Sequence, residues 1–129
     1  MSNILVNKMI TPDGTAIQSM YRHDYVEYED TVSGETYVVD GGIDYFRHSM
    51  NKIKPTFVFL TEKDPIEEIR EHFLWGTYGI NGDQRLFFVL LKDMSEDHIR
   101  NVLRDCGMPE RMENMFLAEL TYRRENGIT

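Results

Sequence analysis

Glycine-bearing turn signals punctuate the first fifty residues, and the runs between them are short and rich in β-branched and aromatic side chains. Thr11-Pro12-Asp13-Gly14, Thr31-Val32-Ser33-Gly34 and Asp40-Gly41-Gly42 each set up a reversal. Proline presets φ at the first, and glycine is available for positive φ at all three. Residues 3–10 alternate well enough for a first strand, and 15–21 read as its returning partner. The stretch 24–30 leaves open whether Tyr25 or Val26 faces inward, and residues 35–39 and 43–48 supply the next two runs. Short strands at this spacing predict an antiparallel meander.

A polar connection over 49–55 leads to Thr56-Phe57-Val58-Phe59-Leu60, whose unbroken apolar character predicts a strand covered on both faces. The period then changes. Asp64-Pro65-Ile66-Glu67 reads as a helix start with Asp64 as cap; Ile66, Ile69 and Phe73 share a face, and Trp75-Gly76 ends the helix. Residues 85–91 read as the strongest strand. Ser95 caps a second helix with Glu96 and Asp97 in its first turn, Ile99, Val102, Leu103 and Cys106 on its apolar stripe, and Gly107 as its stop. A third helix starts near Pro109, carries Met112, Met115, Phe116 and Leu120 inward, and frays over 123–127. The expectation is an α+β fold: an N-terminal antiparallel β-sheet with two to three C-terminal helices packed on it. It forms a single domain over 1–129, β-rich over 1–60 and helix-rich over 61–129.

Charge narrows the partners. The net charge is −8, and residues 1–50 alone carry −5. Duplex binding needs several Lys or Arg on phosphates, so this balance argues against nucleic acid as a partner. The single cysteine, Cys106, excludes an internal disulfide and a Cys-rich zinc site, and its position on the helix stripe predicts a small core filler. Neither a signal-peptide run nor a stretch of membrane-spanning length is visible, which predicts a cytosolic protein with no membrane association.

The stretch 73–84 holds the only tryptophan and three of the nine glycines. Phe73, Trp75 and Tyr78 offer aromatic faces on which a planar ring can stack, or they close the first helix onto the sheet. Asn81, Asp83 and Gln84 supply donors and acceptors suited to ribose or base edges, although Asn-Gly is equally a turn signal. Arg100 and Arg104, four residues apart on the second helix, form a forked anion site or a solvated ladder with Glu96. Arg22, His23 and Arg47 mark a possible second site. No helical His pair or His-Glu motif supports a metal, and no nucleophile elbow or phosphate-binding glycine loop supports catalysis. The expectation is therefore no metal, no cofactor and no catalytic residue. His98 or His23 remains the acid–base candidate if the chain is instead a small phosphodiesterase.

Three stretches together carry a family likeness: Arg22-His23-Asp24-Tyr25 with residues 39–45, residues 73–84, and residues 91–99. Across about residues 10–105 the combination resembles small accessory proteins of tailed bacteriophages. Some relatives carry Cys-rich, zinc-ribbon-like versions of the first stretch; this chain has no cysteine there, so zinc is not carried over. The layout is also similar to the phage anti-Thoeris sponges, which bind cyclic ADP-ribose signals without cleaving them and assemble as dimers or higher oligomers. That resemblance implies an anti-defence protein in the host cytoplasm, a homo-oligomer that sequesters a cyclic nucleotide, cyclic ADP-ribose or a cyclic oligonucleotide. Phe73, Trp75 and Tyr78 would stack on adenine, Arg100 and Arg104 would hold phosphate, and Asn81, Asp83 and Gln84 would read ribose or base. The alternative is a phage protein that binds and inhibits a host protein, its acidic surface steering it to a basic partner.

Overall fold

The structure, a computed structural model, describes residues 3–79 and 82–128. It is α+β, antiparallel strands followed by three helices, and it resolves into two compact units, residues 1–61 and 62–129.

The first unit holds six strands in two three-stranded sheets: β1 (Ile4–Ile10), β2 (Ala16–Ile17), β3 (Val26–Glu29), β4 (Thr36–Asp40), β5 (Arg47–His48) and β6 (Thr56–Thr61). One sheet has the order β2-β1-β6 and the other β3-β4-β5, all pairings antiparallel. Only β3-β4-β5 is a true meander, because β6 returns to pair with β1; the second and fifth runs are much shorter than the expected 15–21 and 43–48. Met9 and Ile17 from the first sheet meet Tyr37 and Val39 from the second to form the core, with Val26, Tyr28 and Phe46 packed against it.

Two carboxylates tie the turns of this unit. Asp13 accepts from the Thr15 amide at 3.0 Å, the Thr31 amide at 3.0 Å, and the hydroxyls of Tyr28 at 2.7 Å and Thr11 at 2.8 Å. Asp30, 1% exposed, accepts from the amides of Asp13, Val32 and Ser33. The Gly41-Gly42 turn sits against other backbone: Gly41 has φ of +92°, and a Cβ placed there would run into the Tyr45 carbonyl oxygen.

β6 departs from its expected burial. Leu60 is buried, but Phe57 and Phe59 are 42% and 54% exposed. β6 is an edge strand, so one side of its core-facing surface has no neighbouring strand to cover it.

The second unit comprises α1 (Ile66–His72), β7 (Leu74–Thr77), β8 (Phe87–Leu90), a single 3-10 turn (Leu91–Asp93), α2 (Glu96–Asp105) and α3 (Glu110–Glu125). α1 ends earlier than its sequence pattern indicates. Its capping residue is Pro65, without a side-chain cap bond, and the chain turns extended at Phe73. Leu74 to Thr77 then pair with Phe87 to Leu90, so strand pairing wins over continued helix. The second strand is correspondingly shorter than the expected 85–91.

α2 begins as expected, with Ser95 Oγ accepting from the His98 amide at 3.1 Å. It stops at Asp105, which leaves Cys106 as the C-cap, exposed and not the expected core filler. α3 does not fray at Arg123. Glu119 is fully buried and accepts from Arg70 Nε at 2.9 Å and from Arg123 Nε at 2.7 Å; Arg123 also donates to the Leu91 carbonyl at 3.0 Å. Met115, Phe116, Ile69, Leu91, Met94 and Ile99 are buried around this network. No helix among the described residues is long and apolar enough to cross a membrane.

Candidate functional site

The β7–β8 hairpin and α2 together bound a cavity of about 450 Å³, within the size range of small-ligand sites. The register pairs Thr77 with Phe87 and Trp75 with Val89, so all four lie on one face of the ribbon. Thr77, Phe87 and Val89 line the cavity. Trp75, farther along the same face, packs edge-on against Phe116 with ring centroids 5.3 Å apart.

The opposite wall comes from α2, where Asp97, His98, Asn101, Val102 and Asp105 recur at helical spacing. The turn between the walls adds Asp93, Met94 and Ser95, and the C-cap adds Cys106. Met94 and Val102 are 2% and 5% exposed and supply an apolar floor with Phe87 and Val89.

The lining holds three aspartates and no lysine or arginine. One of the three is already engaged: Arg104 grips Asp105 through two hydrogen bonds of 3.0 Å and reaches Asn101 Oδ1 at 3.0 Å. That guanidinium holds the Asp105 carboxyl below its ordinary range. Asp93 and Asp97 have no such partner from within the lining, which leaves the cavity with an anionic edge over an apolar base. Chemically it suits a cationic head on an apolar stem.

The residues expected to form a nucleotide site are distributed differently, and none of those described lines this cavity. Phe73 is 1% exposed and packs edge-on against Phe116 at 6.2 Å, so it is core and offers no stacking face. Trp75 is half-buried against the same ring. Tyr78 is 56% exposed where β7 ends. Asp83 and Gln84 are exposed in the loop; the Gln84 amide donates to the Tyr78 carbonyl at 2.9 Å, and the Gln84 side chain lies against Gly79. Asn81 lies outside the described residues.

The two arginines are exposed and share α2, but each faces a carboxylate of its own helix. Arg100 Nε is 3.6 Å from Glu96, and Arg104 holds Asp105. They form the ladder, and a phosphate would have to displace those acids. In the first unit, Arg22 and His23 are exposed in a turn, whereas Arg47 is paired with Asp40 at 2.9 Å. Asp13, Asp30 and Glu35, whose carboxyls hydrogen bonds hold below the ordinary range, are occupied in holding turns.

Sequence reasoning missed the cavity although it read 85–91 as a strand and Val102 as apolar stripe, because it took Thr77 and Gly79 for loop and had no means of setting that strand against α2. A signal was present: Asp93, Asp97, Asn101 and Asp105 recur every four residues, a polar stripe of one sign. No protein-family model matches the chain, and neither a curated protein nor a solved structure does.

Proposed function

We propose that this protein works by capture, without turning over a substrate, and that its C-terminal unit takes a lysine or arginine side chain of a partner protein. The observation that carries this reading is the cavity lining: Asp93 and Asp97 with no lysine or arginine beside them in the lining, over an apolar base that suits an aliphatic stem. The net charge of −8 steers a basic partner toward the chain before contact. The resemblance to tailed-phage accessory proteins supports a host protein as that partner, met in the cytoplasm of an infected bacterium.

Sequestration of a cyclic nucleotide is the second reading, and the exposed Tyr78 favours it. Its ring is open to stacking, and Arg104 stands at the cavity edge through its bonds to Asn101 and Asp105. In this reading the nucleotide would have to win Arg104 from Asp105.

Calorimetry separates the two. The probes are a hexa-arginine peptide, a hexa-glutamate peptide and cyclic ADP-ribose. The variants are Asp93→Asn/Asp97→Asn and a control with the same charge change on α1, Glu67→Gln/Glu68→Gln. Capture of a basic side chain predicts binding of hexa-arginine that falls at least tenfold in the cavity variant and stays near wild type in the control. Equal losses in both variants reduce the effect to bulk charge and sink the reading. Binding of cyclic ADP-ribose that is lost in Arg104→Ala installs the nucleotide reading in its place. Recovering that ligand cleaved after heat denaturation would make the chain an enzyme instead.

A further inference from the structure

We propose that the N-terminal unit carries a stacking surface for single-stranded nucleic acid, built on Phe57 and Phe59 of β6, with Lys52 and Lys54 on the connection that leads into that strand. This surface is separate from the cavity of the C-terminal unit and does not rest on the capture reading.

The first observation is compositional. Residues 45–61 contain no Asp or Glu, in a chain holding 22 of them, and they carry Arg47, Lys52 and Lys54. The same run holds Tyr45, Phe46, Phe57 and Phe59, so cations and aromatics share a run of 17 residues without an acid among them.

The second is geometric. Phe46 and Phe57 meet edge-on at 6.3 Å, and the His48 ring lies 4.7 Å from Phe57, so β5, the residue just before it and β6 bring three rings into one cluster. Phe59, two residues further along β6, lies on the same face about 7 Å away. Phe57 and Phe59 remain 42% and 54% exposed, and Tyr45 74%. Two open rings spaced along one strand offer successive stacking positions, and stacking tolerates any base because every base has a π face.

The third is the fixing of the cations. The connection from β5 to β6 is pinned along β4: Glu35 accepts from the Lys52 and Ile53 amides, and Tyr37 Oη donates to the Ile53 carbonyl at 2.6 Å. Lys54 is exposed on this held backbone three residues before Phe57; Lys52 is also exposed but lies near the Glu35 carboxylate, which its charge helps hold below the ordinary range. Arg47 contributes less, because Asp40 holds it.

An open platform of this kind favours a strand over a free nucleotide. A mononucleotide gains one stack and one phosphate contact, whereas a strand repeats both. Duplex DNA hides its base faces and gains only charge contacts, which the overall acidity opposes.

The test is fluorescence anisotropy with a fluorescein-labelled twelve-nucleotide oligo(dT) at about 50 mM salt, where phosphate contacts are least weakened by counterions. A twelve-base-pair duplex and AMP serve as competitors. Wild type is expected to bind the strand and to be displaced poorly by both competitors. Phe57→Leu keeps apolar surface and removes the ring; it is expected to weaken binding roughly five- to a hundred-fold. Lys52→Gln/Lys54→Gln is expected to weaken binding and flatten the salt dependence, while Asp93→Asn/Asp97→Asn leaves the ring-dependent loss unchanged. Circular dichroism establishes that each variant is folded. The proposal is overturned if wild type does not bind the strand, if the duplex competes as well as the strand, or if Phe57→Leu binds like wild type. It is also overturned if sedimentation shows a wild-type dimer that Phe57→Ala dissociates, which would make the patch a contact between copies of this chain.

Discussion

Replacing Glu119 by alanine is expected to be the most damaging single change in the C-terminal unit. Glu119 is fully buried, and its two oxygens accept from Arg70 Nε at 2.9 Å, Arg70 Nη2 at 3.1 Å and Arg123 Nε at 2.7 Å. Alanine leaves two guanidinium groups facing each other without an anion between them. Arg123, 4% exposed, keeps its bond to the Leu91 carbonyl, and Arg70 keeps its place 4.7 Å from the Tyr122 ring. Neither interaction neutralises charge. Removing one partner from a buried ion pair costs about 3–5 kcal/mol, and at roughly 4 °C per kcal/mol for a chain of this size the midpoint falls by about 12–20 °C. Trp75 packs on Phe116 within the same unit, so its fluorescence reports the melt locally while far-ultraviolet circular dichroism reports the whole chain. Glu119→Gln keeps the volume and one acceptor, so its midpoint is expected to lie between those of wild type and alanine. The triple exchange Arg70→Met/Glu119→Leu/Arg123→Met removes all three charges and is expected to recover most of the loss, since apolar replacements of buried ion networks are often neutral or better. A Glu119→Ala midpoint within 3 °C of wild type would refute the burial argument.

Three further outcomes follow from the same geometry. Acid is expected to loosen the N-terminal unit: hydrogen bonds from Thr15, then Thr31 and Tyr28, hold the Asp13 carboxyl well below its ordinary value of 3.8. For Asp30, burial pushes upward but amide bonds from Ser33 and Asp13 outweigh it. Depressed folded-state values mean the unfolded chain binds the extra protons, so this stabilisation is complete above about pH 4 and is lost as pH falls further. Urea midpoints from pH 7 to 3 check it, and Asp13→Asn is expected to flatten the profile. Gly41→Ala is expected to cost more than Gly14→Ala in urea melts. Both have positive φ, a strain of about 1–3 kcal/mol, but only Gly41 would also drive a Cβ into backbone. Phe73→Ala is expected to cost about 3–5 kcal/mol as a core deletion and to leave the fold change in hexa-arginine affinity caused by Asp93→Asn/Asp97→Asn unaltered, because Phe73 lines no part of the cavity.

The elements whose stability is local were legible in the sequence. Ser95 with Glu96 and Asp97 marks the start of α2 by capping and dipole alone, and Pro109 marks the start of α3 by its preset φ, without a side-chain cap. Elements decided by distant partners were not. Phe73, Leu74 and Trp75 continue a plausible helical stripe, and only pairing with residues 87–90 draws Leu74 and Trp75 into a strand. Cys106 sits at the right spacing for the α2 stripe, but the spacing loses its meaning one residue past the last helical turn. Arg123 looked like a fraying charged end. Yet Met112, Met115, Phe116, Glu119 and Arg123 share one helical spacing, so the stripe itself announced a buried Glu–Arg pair; what it could not announce was Arg70, 49 residues away, completing the network.

The distribution of arginines decides what the expected nucleotide site can do. A pair of arginines on one helix face suggests a phosphate clamp only while their surroundings are unknown. Here Arg104 is clamped twice by Asp105, Arg100 faces Glu96, Arg47 is held by Asp40, and Arg70 and Arg123 are consumed around Glu119. Every one of these cations already has a carboxylate within 4 Å, whereas the cavity between β8 and α2 gathers aspartates and no lysine or arginine. An incoming phosphate would have to outcompete a tethered carboxylate whose effective concentration it cannot match at low abundance. An incoming lysine or arginine meets Asp93 and Asp97 with no lysine or arginine from the lining to displace, and only Asp105 is already held, by Arg104. Under the proposal for the N-terminal unit, an anionic strand would meet this acidic excess everywhere except at runs such as 45–61, which holds no Asp or Glu and carries Arg47, Lys52 and Lys54.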